Sequence, residues 1–383
     1  MRMLFTFAGG NGHFEPLIPI ARAAVAASHI VAVAGQPAML PTIVAAGFQA
    51  FSTGGATVGS TPKRLPLLRI DTEREDRALR EGYASRTARI RAAALLELCA
   101  SWQPDVVVCD EIDFGSMLAA ERLGLPYASV QVIASGSFVR HSVVAAPLSQ
   151  LRAEHKLPPD PELTMLHRYL VLSPFPPSFR DPAFPLPDTA HSMRLHTAAL
   201  TRSHGTPTVY FTLGTVFNIE SGDLFQRVLA GLRELPIAVI ATVGREIDPA
   251  EFGPQPANIR IEQYIAQASI LPSCAAVVSH GGSGSILGAL AHGLPLVILP
   301  MGADQPLNAA RCIALGLGQA LDAVDATPAQ VHTAVATVLA EPRYRQAATR
   351  MRDEIVQLPG PAYALALLER LGAERQPILA HIS

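Results

Sequence analysis

Apolar positions along the chain fall into two rhythms: short continuous runs, and longer stretches with apolar residues three and four apart. The runs 3-MLFTF-7 and 30-IVAVA-34 predict strands buried on both faces. Between them, Leu17, Ile18, Ala21, Ala24 and Val25 share one face of a helix. Strand, glycine turn, helix and strand in that order predict a βαβ unit of a parallel sheet. The order recurs at 105-DVVVC-109, a helix with Leu118, Ala119 and Leu123, then 127-YASVQV-132. It restarts at 208-TVYFTLGT-215, followed by a helix with Leu224, Phe225, Val228, Leu229 and Leu232, then 237-IAVIATV-243. The runs 275-AAVVS-279 and 295-PLVILP-300 follow, and Ala364, Leu367, Leu368 and Leu371 mark an amphipathic last helix.

Two stretches break the rhythm. Residues 54–76 are rich in Gly, Thr, Pro and charge, and predict a long surface loop of the kind that carries function. The stretch 174-PFPPSFRDPAFPLP-187 holds six prolines, which exclude a helix or a central strand. The expected class is therefore α/β, with two halves joined by a proline-rich connection near 174–206.

Composition narrows this further. A length of 383 residues suits about two domains, and 49% hydrophobic residues are ample for two cores. A net charge of −2 gives no electrostatic footprint for nucleic acid. Mean hydropathy is +0.26, yet no apolar run reaches the roughly 20 residues of a spanning helix. The first apolar stretch is too short for a signal peptide, so the expected location is cytoplasmic and no membrane partner is expected. Cys99, Cys109, Cys274 and Cys312 show neither C-x-x-C nor zinc spacing and read as free thiols.

The chemistry lies in two glycine loops. In 275-AAVVSHGGSGSILGALAHGLPLVILPMGADQPLNA-309 a buried strand ends at Ser279, then His280, Gly281 and Gly282 lead into a helix opened by Ser283, Gly284 and Ser285. A helix N-terminus offers unpaired N–H groups and partial positive charge; glycines let a phosphate reach them, and serines add hydroxyl donors. That suits a leaving diphosphate without a metal. The competing reading is a tight turn that needs glycine for backbone reasons alone. Asp304, Gln305 and Asn308 follow the next strand at the same carboxyl edge, where open α/β sheets bind ligands, and favour a site. In 9-GGNGHFEP-16, His13 follows a strand directly. An imidazole with an ordinary pKa near 6.5 can take a proton from an acceptor hydroxyl if a carboxylate orients it. Asp110 ends a neighbouring strand; Glu111 and Asp113 are nearby alternatives, a helix N-cap is the rival role for Asp110, and a turn residue is the rival reading of His13.

Other classes fit poorly. Gly10-x-Gly12 is followed by His13-Phe14-Glu15, which breaks the dinucleotide fingerprint, and the second strand ends in Gly35-Gln36 without an acid for the ribose. Residues 281–285 read G-G-S-G-S rather than G-x-S-x-G, there is no G-K-[ST], and no D-x-D occurs.

The string HGGSGS…LP…GADQPLNA resembles the donor signature of family 1 glycosyltransferases, in particular the bacterial group that decorates natural products. The likeness also covers 12-GHFEP-16, 210-YFTLGT-215 and 263-QYIAQASILPSC-274, in the family's order. It implies the GT-B fold: two Rossmann-like domains facing a cleft, the last helix crossing back to the N-terminal domain. The implied division is 1–196 acceptor-binding, 197–206 linker, 207–360 donor-binding and 361–383 crossover helix. The implied catalytic pair is His13 with Asp110. His280, Gly281, Gly282, Ser283, Gly284 and Ser285 would hold the diphosphate, with Thr215 adding a phosphate or sugar contact. Tyr264 and Ile265 would line the base, and Asp304 and Gln305 would bind sugar hydroxyls. Phe14, the 54–70 loop and 131-QVIASGSFVRH-141, including Phe138, are the candidate acceptor lining. S-G-S stands where many relatives have x-G-T, and no Trp faces the base. The expected reaction is inverting transfer from a dTDP- or UDP-sugar to a hydroxyl of a hydrophobic small molecule, with no cofactor and no metal. A non-catalytic nucleotide-sugar-binding accessory partner is the alternative, and the chain is expected to be a monomer or homodimer.

Overall fold

The computed structural model describes residues 1–54, 65–195, 205–215 and 217–380. The first half opens with β1 (Arg2–Thr6), a short α1 (Asn11–Phe14), α2 (Ile18–Ala26), β2 (Ile30–Gly35), α3 (Leu40–Ala45) and β3 (Gln49–Ser52). A continuous helical rod follows: α4 (Thr72–Arg77), a π-helical stretch over Ala78–Thr87, and α5 (Ala88–Trp102). Then come β4 (Val106–Asp110), α6 (Phe114–Leu123), β5 (Tyr127–Val130), α7 (His141–Glu154), β6 (Leu170–Ser173) and β7 (Ala190–Ser192).

The second half contains β8 (Thr208–Thr212), α8 (Leu224–Arg233), β9 (Ala238–Thr242), β10 (Ile259–Glu262), a short α9 (Gln267–Ile270) and β11 (Ala276–Ser279). It continues with α10 (Ser283–Ala291), β12 (Leu296–Ile298), α11 (Gln305–Ala314), β13 (Gly318–Ala320), α12 (Pro328–Ala340), α13 (Pro342–Gln357) and α14 (Pro361–Glu374).

Among the described residues, the first sheet runs β3-β2-β1-β4-β5-β6-β7 and the second β10-β9-β8-β11-β12-β13, with parallel pairs throughout. Strands covered on both faces explain the continuous apolar runs: every residue of β4, β5 and β11 is buried. In both sheets the winding reverses beside the first strand, between β1 and β4 and between β8 and β11. Loops diverge at such a reversal and leave a crevice at the carboxyl ends of the strands. Both glycine loops sit there.

Three features differ from, or refine, the sequence reading. The stretch expected to be loop up to residue 76 becomes helix at Thr72, because the Asp71 carboxylate caps it by accepting the N–H groups of Glu73 and Arg74. Of that stretch, 55–64 lies outside the described residues, as does most of the expected linker 197–206. The proline-rich segment forms a 3-10 turn at Pro177–Phe179, and β7 after it is an edge strand, where missing ladder donors cost little. Finally, α14 packs on α2, β4 and β6 of the first half with Leu368 and Leu371 fully buried. Glu369 lies 2.8 Å from the His29 ring, and Tyr363 Oη 2.8 Å from His191 Nδ1. No helix among the described residues is long and apolar enough to cross a membrane.

Candidate active site

At the first reversal the chain leaves β1 through Gly9 and Gly10 and turns at once into α1. Gly9 is required here: a Cβ would lie 2.2 Å from His13 Cδ2, so only glycine lets the imidazole fold back over the loop. His13 Nδ1 then lies 3.3 Å from Asp110 Oδ2, with the His13 side chain 23% exposed and Asp110 fully buried. The same Oδ2 accepts the Ala8 N–H at 2.6 Å, and Oδ1 accepts the Ile112 N–H at 2.8 Å. The carboxylate thus ties the ends of β1 and β4 together and faces the imidazole. Burial alone would lower the His13 pKa; the charge and hydrogen bonding of Asp110 outweigh it, Asp304 and Glu111 add to them, and the net is a rise above 6.5.

The neighbouring acids do different work. Asp113 caps α6 by accepting the Ser116 N–H at 3.2 Å, and pairs with the buried Arg91 guanidinium at 2.7 and 2.5 Å. The N-cap is therefore Asp113, not Asp110. Glu111 Oε1 accepts the N–H groups of Val132 and Ile133, each at 2.6 Å, and burial pushes its pKa up to about 7.

At the second reversal, β11 ends at Ser279 beside β8. The His280 ring packs between two glycines: a Cβ on Gly214 would lie 2.7 Å from the ring, and one on Gly282 2.5 Å from Nε2. Burial lowers its pKa to about 4, so it is a neutral imidazole at pH 7, and its buried Nδ1 has no hydrogen-bond partner among the described residues. Gly281 has φ +87°, and a Cβ there would meet Ile298 at 2.6 Å. Gly282 begins α10 with no side-chain cap, which leaves the first N–H groups of the helix, from Ser283 onward, to a ligand.

The remaining expected residues spread around this point. Ser283 is not free: its Oγ donates to Asp304 Oδ2 at 2.6 Å and accepts from Asn308 Nδ2 at 3.1 Å and from the Ala134 N–H of the first half at 2.8 Å. Ser285 Oγ accepts weakly from Gln267 Nε2 at 3.4 Å. Burial pushes the Asp304 pKa up. Gln305 is 2% exposed and turns into its own loop, its Oε1 accepting the N–H groups of Met301 at 2.8 Å and Gly302 at 3.3 Å. Thr215 is exposed just past β8. Tyr264 is exposed, with the Arg245 guanidinium 4.2 Å over its ring, while Ile265 packs partly buried against the core.

Phe14 requires correction as an acceptor-lining residue. It is 1% exposed and stacked on Phe7 at 5.1 Å, because α1 turns its side chain into the sheet core. Phe138 is half-buried against the core of the first half. Two contributors were not assigned roles from sequence. Asn308 is fully buried and bonds Gly281 O, Ser283, Asp304 and the Ser135 N–H; its place in the GADQPLNA string was the available signal. Arg245 follows β9 at the carboxyl edge, where a basic residue next to a glycine was a signal of the same kind.

Residues 226–371 match the family model for the Erythromycin biosynthesis protein CIII-like, C-terminal domain. Over 98% of both chains, this one is 29% identical to 10-deoxymethynolide desosaminyltransferase of Streptomyces venezuelae. It superposes on the thymidine diphosphate complex of glycosyltransferase SsfS6 from Streptomyces sp. SF2575 with a TM-score of 0.76, at 25% identity over 97% of this chain and 99% of that one. On the spinosyn rhamnosyltransferase SpnG, also complexed with thymidine diphosphate, the TM-score is 0.81, at 23% identity over 96% and 100%. Two Rossmann-like halves with a glycine loop at each winding reversal define the GT-B architecture. The chain is thus similar to bacterial glycosyltransferases of the antibiotic type, and is a nucleotide-sugar-dependent glycosyltransferase.

Proposed function

We propose that the protein moves a sugar from a dTDP- or UDP-sugar to a hydroxyl of a hydrophobic natural-product acceptor, inverting the anomeric centre and using no metal. We assign residues 1–196 to the acceptor, 207–360 to the donor and 361–383 to the crossover. The observation that carries the reading is the pairing of His13 and Asp110 at one winding reversal with the uncapped α10 N-terminus at the other, close enough that Asp304 acts on the His13 charge.

In this mechanism Nδ1 of His13 faces Asp110, and Nε2 takes the acceptor proton as its oxygen attacks the anomeric carbon. The carbon–oxygen bond to the diphosphate breaks on the opposite face, and the bonding pair leaves with the phosphate. The α10 N–H groups and Ser285 hydroxyl neutralise that charge, which a divalent metal would otherwise do. Asp110 stabilises the imidazolium. Asp304 positions sugar hydroxyls.

The test is calorimetric titration with dTDP, UDP and NAD in the absence of divalent metal, followed by turnover of His13→Ala. Binding of one nucleoside diphosphate that is lost in His280→Ala, with turnover reduced about 10²- to 10⁴-fold in His13→Ala, is the expected result. Absence of diphosphate binding sinks the donor site. Unchanged turnover in His13→Ala sinks the base.

A further inference from the structure

Four consecutive backbone amides after β5 lie outside regular structure and are all committed. Two point back into the first half: Val132 and Ile133 donate to one oxygen of Glu111, each at 2.6 Å. The next two point across the cleft: Ala134 donates to Ser283 Oγ at 2.8 Å and Ser135 to Asn308 Oδ1 at 3.1 Å. Ser283 and Asn308 both continue to Asp304, at 2.6 and 2.7 Å.

We propose that Glu111 is a positioning residue that couples the two halves: by fixing the amides of 132 and 133 it aims those of 134 and 135 at the start of the donor helix. The proposal rests on the reading of 280–285 as the donor site.

Three observations support it. Glu111 directly follows Asp110 at the end of β4, so the acid that orients the base and the acid that holds the bridging loop share one strand end. Both amides donate to a single carboxyl oxygen, and a carboxyl group withdrawn from water is costly unless it is hydrogen-bonded in this way. The loop is gripped on its other flank too. The Asp181 N–H donates to Ser135 O at 3.0 Å, and the Arg180 guanidinium lies where a Gly136 side chain would be, 2.3 Å from an added Cβ at a φ of +76°. The path runs from Glu111 through the loop and Ser283 to Asp304, whose charge reaches His13. An acceptor that shifts the loop therefore disturbs the sugar-binding carboxylate, and a nucleotide on α10 steadies the loop.

Hydrogen exchange of the full-length protein tests this, read by mass spectrometry with and without dTDP or UDP. Without nucleotide, Glu111→Ala is expected to speed exchange about tenfold in 131–136 and also, across the cleft, in 279–285 and 301–308. Glu111→Gln keeps an acceptor oxygen and is expected to restore most of the protection. Ser283→Ala, which breaks the bridge from the far side and is available if Glu111→Ala does not fold, is expected to loosen 131–136. A purely local structural role would loosen 131–136 in the Glu111 variant and leave 279–285 and 301–308 as in wild type; that result overturns the proposal. With nucleotide, protection of 279–285 is expected to reach 131–136 in wild type and not in Glu111→Ala. If neither nucleotide protects 279–285, the donor reading fails, while the nucleotide-free comparison still decides the role of Glu111.

Discussion

His280 sits where two missing methyl groups let it. Gly214 and Gly282 flank its ring closely enough that a side chain on either would collide with it, so its buried position is written into both loops. The consequence is a pKa of about 4 against an ordinary 6.5. Between those values the unfolded chain binds a proton that the folded chain refuses, so acidification through that window costs stability. Glu111 works with the opposite sign. Its folded pKa of about 7 lies above its ordinary 4.5, so between those values the folded chain holds the proton more tightly and acidification favours folding. The two contributions oppose each other in wild type. His280→Asn removes one and keeps the other. Relative to wild type, this variant is expected to gain thermal stability as pH falls from about 7 to about 5. A variant that loses ground on acidification would contradict a buried neutral His280.

The helical rod over 72–102 shows why part of the fold was hidden in the sequence. Its first turns are polar throughout, so no apolar stripe announces them, and the helix begins at Asp71 because its side chain captures two free N–H groups. Buried parallel strands, in contrast, announce themselves as continuous runs, and glycine loops at their ends locate both reversals without knowledge of packing. The direction of Phe14 was not legible, since an apolar residue after His13 can face cleft or core until the turn of α1 is known. Nor was the engagement of Ser283, whose partner amide is 149 positions away. Gly115 belongs to the same hidden layer. On α6 it meets α5 so closely that a Cβ would lie 2.5 Å from Ala88 O and 2.9 Å from Ala92 N. Both neighbours are backbone and cannot swing aside. Gly115→Ala is expected to cost about 1–3 kcal/mol by chemical denaturation, despite the better helix propensity of alanine. A neutral or stabilising effect would show that the two helices can separate freely. The buried Arg91–Asp113 pair lies in this same helix–helix layer, which ties the rod to the loop that follows Asp110.

The cleft is bounded by two connections of unequal strength, and the sheet order explains their placement. The chain passes to the second half after β7, at one edge of the first sheet; the segment that reaches across from the first half follows β3, at the opposite edge. At the β7 side the two crossings of the chain bond to each other: the Arg194 N–H donates to Pro359 O at 2.8 Å and its guanidinium to Val356 O at 2.8 Å, immediately before α14 returns to the first half. This side is covalent twice over, since the chain crosses between the halves here in both directions. At the β3 side, Leu65 exchanges backbone bonds with Ile219 and Gly222 at 2.7 and 3.2 Å, and Arg69 reaches Asp325 at 2.8 Å and Asp322 at 3.5 Å. All three charged side chains there are more than half exposed. Exposed ion pairs are weak and are screened by salt, so the charged part of this connection loosens as salt rises. Neutralising both acids, Asp322→Asn with Asp325→Asn, is expected to speed dissociation of bound dTDP or UDP severalfold at low salt in stopped-flow measurements, and to make no difference at about 0.5 M salt. Equal rates at low salt would show that the Arg69 strap does not hold the cleft. A difference that survives high salt would assign the closure to the Leu65 backbone bonds and packing rather than to charge.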